Sequence, residues 1–425
     1  MWTLLGGGIF LLALVGVMTR PGGMSEALAA SGGAVLMILF GFVSLREALQ
    51  VLLGQWNVFG LFLGLMAISA IAERAGFFDA LALAAARAAG GHTRRLYLAV
   101  FAVGVLITAF LSNDATALIL TPIIYTLATR LRLAVLPFMF ACTFIADTAS
   151  VLLPVSNPIN ILAGSTFDID LATFLRYLLL PALFCIAANI GIFRWRFGAE
   201  LRGGYTVADA EAALAAPPDP AFFRLTVVVL GLIAGCYMLA AARQWPLAVV
   251  ALGGALVLLI GAALFRQLDW RRLGREISWA IFPFVGGMFI LVRGVENLHL
   301  TQAFGALLLG LGGPSRFGAI AATTLGAALG SNLVNNVPMA LIMTSAIQQQ
   351  AALTPAIREG TIYATILGAD LGPNLTTVGS LATMLWVLIL RRRGLEISQR
   401  EYLKLGLTVV PLMLVVGALL IWLRL

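Results

Sequence analysis

Apolar runs long enough to cross a bilayer recur from one end of this sequence to the other, and they constrain the fold more than any other feature. They fall at about 2–19, 26–43, 56–72, 96–129, 133–164, 171–193, 222–242, 246–265, 277–295, 314–350, 356–390 and 402–423. About 20 apolar residues in a helix span the roughly 30 Å hydrocarbon core. With no water at that depth every amide must bond within the protein, which leaves helices or closed barrels. A barrel needs alternating strands of about ten residues; these runs are continuous, so the expectation is an all-α polytopic membrane protein. A water-soluble domain could not hide a chain that is 61% hydrophobic and 11% charged. The first run starts at Trp2 with no basic region before it and no cleavage site after it, and reads as a retained span rather than a signal peptide.

The formal net charge of +8 does not point to nucleic acid. The basic residues sit singly or in short clusters beside apolar runs, as in cytoplasmic loops. Cys142, Cys185 and Cys236 all lie within apolar segments; an odd count without close spacing gives no disulfide framework and no metal site. They read as small core hydrophobes. No phosphate-binding glycine-rich loop occurs, so the chain is not expected to hydrolyse ATP, and no cofactor is expected.

Two runs, 96–129 and 314–350, are too long for one span and carry polar residues at their middles. The first holds Ser112-Asn113-Asp114; the second holds Ser331-Asn332, Asn335-Asn336 and Pro338. Each reads as a re-entrant helical hairpin with its tip inside the membrane, where irregular backbone is tolerated only against protein or a water-filled cavity. Shifting the sequence by 223 residues without gaps brings Gly64 onto Gly287, Glu73 onto Glu296, Asn113 onto Asn336, and Ala146-Asp147 onto Ala369-Asp370. Apolar matches come cheaply in such a chain, but rare Asp, Glu and Asn in register do not. The reading is therefore two repeats, 1–197 and 222–425, joined by a polar linker at 198–221. Each contains five transmembrane helices plus one hairpin, giving ten spans and two hairpins, with broken helices over 133–164 and 356–390. An odd number of crossings turns the second repeat upside down, the inverted topology of secondary transporters, whose sites lie near the midplane. Residues 77–91 read as a short interfacial helix.

Under this topology, 20 of the 27 Lys and Arg residues fall on one side, including Arg74, Arg94, Arg95 and Arg391 to Arg393, and 7 on the other. The positive-inside rule makes the first side cytoplasmic and both termini periplasmic.

Ionisable groups inside spans are costly and mark functional candidates. Asp114 stands at the first hairpin tip; Asp147 and Asp370 are repeat mates in mid-span. Glu73 and Glu296 are also mates, but lie near span ends, where they can snorkel or meet Arg74 and Arg293. After each mid-span Asp the helix is interrupted, first by Pro154 and Pro158 and then by Gly372, Pro373 and Gly379. Such breaks free backbone groups and half-helix dipoles to act as ligands. Ser112 and Asn113, Ser156, Asn157 and Asn160, Asn335 and Asn336, and Thr376, Thr377 and Ser380 supply neutral donors and acceptors around one expected pocket. A single Ser or Asn in a span often only bonds a neighbouring helix; the repeated combination of tip, Asp and break favours a binding site. Two carboxylates could alternatively share a proton as an intramembrane aspartyl protease does. Against that, Asp370 follows Leu-Gly-Ala rather than Gly-x-Gly, and the only Pro-Ala-Leu triplet, at Pro181, is misplaced.

The stretches SNDATALILTPI at 112–123, FIADTASVLLPVSNPINI at 144–161 and GADLGPNLTTVGSLATMLW at 368–386, with ERAGFF at 73–78 and VNNVP at 334–338, resemble the ion transporter superfamily. Within it they resemble the arsenite/antimonite efflux permeases of the ArsB type. The resemblance covers essentially the whole chain. It implies a multi-pass protein of the bacterial inner membrane that exports arsenite and antimonite, with an optional soluble ATPase subunit on the cytoplasmic side. Sodium-coupled dicarboxylate carriers of the superfamily carry Ser-Asn-Thr tips and a Thr-Pro-Pro-Asn-like break. Here the tips are Ser112-Asn113-Asp114 and Asn335-Asn336, and the break reads Ser156-Asn157-Pro158-Ile159-Asn160. A sodium- or proton-coupled anion carrier, or a cation/proton antiporter of the same fold, is the alternative. Neutral As(OH)3 suits neutral Asn, Ser and Thr groups, and with only Cys142 near the site a three-thiolate clasp is not expected. A neutral solute gains nothing from membrane potential, so exchange with protons carried by Asp114, Asp147 and Asp370 would drive export, the hairpins and broken helices moving as a unit.

Overall fold

The computed structural model describes residues 2–214, 217–350 and 353–425. Among them there is no strand, only an isolated bridge between His92 and Gly204. Ten helices are long and apolar enough to cross a membrane: Trp2–Thr19, Trp56–Arg74, Thr93–Phe110, Val135–Leu152, Leu171–Arg196, Pro220–Ala242, Leu247–Leu264, Trp270–Asn297, Arg316–Val334 and Gln399–Arg424.

The number equals that read from sequence, but the membership differs. The first arms of the two expected hairpins, Thr93–Phe110 and Arg316–Val334, qualify with 18 and 19 residues because each runs unbroken to the polar tip. Glu26–Leu39, read as a span over 26–43, has only 14 residues, about 21 Å at 1.5 Å per residue. The apolar run continues through Phe42 and Val43, but the helix has already stopped before Gly41, whose φ is +73°. Pro355–Leu371 has 17 residues and passes into a 3-10 turn, Gly372–Leu375. The short helix expected at 77–91 is Phe77–Ala88. Two further short helices lie outside the expected elements: Leu45–Gly54, opened by a capping box between Ser44 and Glu47, and the apolar Leu300–Gly312, which stands about 223 residues after Phe77–Ala88.

Helices of the first half have counterparts about 223 residues later. Trp56–Arg74 answers to Ile281–Asn297, Thr93–Phe110 to Arg316–Val334, Val135–Ala149 to Pro355–Leu371, and Leu171–Arg196 to Gln399–Arg424. Packing crosses between halves. Trp56–Arg74 lies along Leu247–Leu264, and Glu26–Leu39 along Ile281–Asn297. Both contacts are backbone-close: a Cβ on Gly64 would meet the Ala251 carbonyl carbon at 2.6 Å, and one on Gly287 that of Ala30 at 2.7 Å. Small residues let membrane helices approach in this way. Gly287→Leu, and likewise Gly64→Leu, is expected to lower the thermal midpoint in detergent by an overpacking penalty of about 1–3 kcal/mol or more. Gly253→Leu, where nothing lies within 4 Å of the new Cβ, should melt like the parent and serves as the control.

A second group of helices carries the breaks. Leu171–Arg196 packs along Gln399–Arg424, and each interrupted helix packs on the first arm of its own half. Aromatic rings join the halves here: Phe144 lies 4.8 Å from Phe193 and 5.1 Å from Tyr402, centroid to centroid. The stretch read as a linker, 198–221, includes residues 215 and 216, which lie outside the described residues. Its remainder is docked rather than free. Helix Val207–Ala213 packs on Phe77–Ala88, the Tyr205 N–H donates to Gly91 O at 2.9 Å, the Tyr205 hydroxyl donates to Ala86 O at 2.6 Å, and Arg87 pairs with Glu211 at 2.8 Å.

Candidate functional site

Thr93–Phe110 ends just before Ser112-Asn113-Asp114, where the chain bends. The Thr108 and Thr116 hydroxyls lie 2.8 Å apart, which a straight helix, rising about 12 Å over eight residues, does not permit. The returning arm starts at Asn113, with Ser112 Oγ accepting from the Ala115 N–H at 3.1 Å as its cap. In the second half, Arg316–Val334 ends at Asn335, whose φ of +73° sits in a region that non-glycine residues seldom occupy. The next helix begins at Asn336, whose N–H donates to Gly379 O at 3.0 Å.

The two breaks end alike. After the 3-10 turns Ser150–Leu152 and Pro154–Ser156, helix Pro158–Thr166 starts with Asn157 as its cap; after Gly372–Leu375, helix Leu381–Arg392 starts with Ser380 as its cap. Four helix N-termini, at Asn113, Pro158, Asn336 and Leu381, therefore border one central cavity, together with Asp114, Asn157, Asn335 and Ser380. Their free N–H groups and partial positive charge favour oxygen-bearing ligands. The cavity has about 20 Å³ open to water, room for about one water molecule, so a larger ligand requires the tips to part.

The mid-span carboxylates stand behind this wall, each held from the opposite half. Asn157 Nδ2 donates to Asp370 Oδ1 at 2.7 Å. Ser380 Oγ and Thr383 Oγ1 donate to Asp147 at 3.4 and 3.2 Å, and Asn113 Nδ2 donates at 3.5 Å. Asn157 and Ser380 are counterparts at the 223-residue spacing, as are Asn160 and Thr383. Asp147 and Asp370 are 1% and 0% exposed, and Asp370 Oδ2 has no partner.

Two vestibules approach the centre. One, of about 210 Å³, is lined by Glu73, Glu276, Ser69 and Leu385 and shares Asp114, Pro158, Ile281 and Leu381 with the central cavity. The other, of about 280 Å³, is lined by Gln55, Glu296, Thr344, Ser345 and Gln348 and shares no residue with it. Gln55 and Glu73 bracket one helix, so the vestibules open at opposite ends, about 27 Å apart at 1.5 Å per residue. Glu296, at the end of Ile281–Asn297, faces the Gln55 vestibule, so the two counterpart helices run antiparallel. Glu296 pairs with Arg293 at 3.1 Å.

Of the residues singled out by sequence, Asn113, Asp114, Asn157, Asn335, Asn336 and Ser380 line the central cavity, and Ser112 lines the Glu73 vestibule. Others serve the backbone. Ser156 Oγ donates to Ala109 O at 3.3 Å, and Thr376 Oγ1 donates to Asn332 Oδ1 at 2.7 Å. Asn160 Nδ2 donates to Ser150 O at 2.7 Å and Leu153 O at 3.1 Å. Thr377 is part-buried and is not among the residues lining the central cavity. Sequence reasoning passed over Thr383, although it stands at the Asn160 position of the repeat, and Asn332, whose Nδ2 ties Ala328 O to Gly372 O at 2.8 Å each. Cys142 and Cys185 are buried and Cys236 is exposed, and among the described residues no group of three His, Cys, Asp or Glu is placed to hold a metal ion.

Spanning helices around a buried polar centre with a vestibule at each face define a multi-pass membrane transporter. The family model described as "Arsenical pump membrane protein", ArsB, matches residues 5–423, and the chain belongs to that family. It is 31% identical to the arsenical pump membrane proteins of Yersinia enterocolitica and Escherichia coli K12, over 407 residues and 95% of each chain. It is 25% identical to a Bacillus subtilis protein named as a putative arsenical pump membrane protein, again over 95% of each chain. In fold it is similar to the YdaH transporter of Alcanivorax borkumensis, whose structure has a topology described as unusual, with TM-score 0.60 at 15% identity, covering 100% of this chain and 98% of that one.

Proposed function

We propose that the protein exports trivalent metalloid hydroxides, arsenite and antimonite, from the cytoplasm in exchange for protons. Two inverted repeats would alternate access by an elevator motion of the hairpins and broken helices. The reading is carried by one observation: a cavity walled mainly by neutral amides, the Ser380 hydroxyl and helix N-termini, with Asp114 as its one carboxyl, has two buried carboxylates one hydrogen bond behind it. The wall suits an uncharged triol, and the carboxylates suit proton carriage. The substrate class comes from the names of the relatives. Inversion is supported by the antiparallel course of Trp56–Arg74 and Ile281–Asn297 and by the exchanged packing partners of the two halves. The elevator is supported by the grouping of the helices: Trp56–Arg74 and Ile281–Asn297 pack mainly on Leu247–Leu264 and Glu26–Leu39, whereas the interrupted helices pack mainly on the hairpin arms.

Sidedness is read from charge. Arg74, Arg272 and Arg275 lie at the Glu73 end, which under the positive-inside rule supports a cytoplasmic vestibule, periplasmic termini and an inward-facing state. A soluble ATPase subunit would then dock on this arginine-rich face. Four converging helix N-termini also favour an anion, which keeps an ion-coupled anion carrier as the second reading. Metalloid uptake into everted inner-membrane vesicles, with and without a pH gradient and with sodium varied, decides between them. The expected result is antimonite and arsenite uptake that collapses with the pH gradient and ignores sodium. Uptake that follows sodium, or favours an oxyanion, would replace the first reading by the second.

A further inference from the structure

A third cavity, of about 340 Å³, lies at the Asn57 end of Trp56–Arg74, the face opposite the Glu73 vestibule. Asp168 and Gln244 stand at its mouth, where Gln244 Nε2 donates to Asp168 O at 3.4 Å. Asn57, Pro154, Gly164 and the buried Asn160 line it; it shares Ile161 with the Glu73 vestibule and Ser165 with the Gln55 vestibule, but no residue with the central cavity.

Asn160 is fully buried, and its Nδ2 is taken up by the Ser150 and Leu153 carbonyls. Its Oδ1 is buried without a partner in the protein, and Asn160 lines this space. A buried amide oxygen in that position calls for a water donor, and the cavity has room for several. Ser150 and Asn160 in turn adjoin the Asp370 carboxyl, whose Oδ2 is also unpartnered. Towards the central cavity Asp370 is screened by Asn157. The charged group that faces Asp370 from the neighbouring helix is Asp147, and Asp168 stands at the cavity mouth.

We infer that this side cavity is a water-filled proton path from the face opposite the Glu73 vestibule to Asp370 that bypasses the central cavity. Hydronium at the Asn160 end gives its proton to Asp370 Oδ2, leaving water and a neutral carboxyl; no other bond changes. The separation lets one face deliver protons while the solute site is open to the other. The inference rests on the proton-exchange reading given above.

The test uses the full chain in proteoliposomes. No atom lies within 4 Å of a Cβ added at Gly164, so Gly164→Phe projects into the cavity without displacing backbone. The expected result is loss of the pH-gradient-driven component of arsenite flux, while exchange of labelled for unlabelled arsenite at equal pH stays at the parent rate. Gly164→Cys in a background with Cys142, Cys185 and Cys236 replaced by Ala guards against misfolding. It should behave as the parent until a membrane-impermeant thiol reagent added from the Asp168 face blocks driven flux alone. Unchanged driven flux after modification, or equal loss of driven flux and exchange, overturns the inference. Absence of any pH-driven flux in the parent protein would instead overturn the proton-exchange reading itself.

Discussion

Asp370→Asn is expected to abolish proton-driven metalloid transport while leaving the protein folded, and Asp147→Asn is expected to do the same. The drop should be at least about 100-fold, the scale on which a positioned proton-transfer group acts. Folding should survive because the amide keeps the shape and the hydrogen bonds. Asn157 Nδ2 can still donate to the amide oxygen at position 370, and the Ser380 and Thr383 hydroxyls can turn to suit the one at 147. A neutral side chain also removes any need to bury a charge, and so does not destabilise the core. Alanine behaves differently: Asp370→Ala leaves the Asn157 amide without its acceptor, a cost of about 1–3 kcal/mol. Rates of vesicle uptake, set beside melting midpoints in detergent, separate the two effects. Parent-like, gradient-driven uptake in either Asn variant would remove that carboxylate from the coupling.

How much of this was legible in the sequence depends on what each feature is made of. The mid-span Asp pair and the tips were legible because polar residues are rare in such a chain and recur in register at 223 residues. Register also placed Asn157 and Ser380 at equivalent positions, but it did not reveal that each reaches across to the Asp of the other half. That pairing is made by the fold, which brings the breaks of both halves to one cavity. Thr383 is within reach of the same logic, as the counterpart of Asn160 at the 223-residue spacing. Ser156 and Thr376 look like Asn157 and Ser380 by residue type and spacing, yet they hold backbone and a neighbouring amide, since a 3-10 turn changes which way successive side chains point. Hydropathy overran the helix in Glu26–Leu39, because Phe42 and Val43 are apolar but lie beyond the turn at Gly41. The vestibules left no trace in the sequence at all. They are the unfilled spaces beside Trp56–Arg74 and Ile281–Asn297, and they depend on helices packed from both halves.

Leu381→Trp should give the second large effect, by closing the passage between the Glu73 vestibule and the centre. Leu381 is part-exposed and lines both spaces, at the first residue of the helix that Ser380 caps. An indole there projects into the space that a solute must cross, yet the existing opening spares the packed side of the helix. Uptake into everted vesicles is expected to be nearly abolished, because the ring fills the passage that the solute must cross. Leu385→Trp is the internal comparison. It lies one helical turn further on, on the same face, and lines the 210 Å³ vestibule without reaching the central cavity. A few-fold slowing at most is expected there, because the wider space takes the ring. Equal inhibition by both variants would mean that bulk anywhere in the vestibule suffices and that the narrow point lies elsewhere. Parent-like uptake by Leu381→Trp, with normal expression and melting, would mean that the solute does not pass between Asp114 and Leu381 on its way to the polar centre.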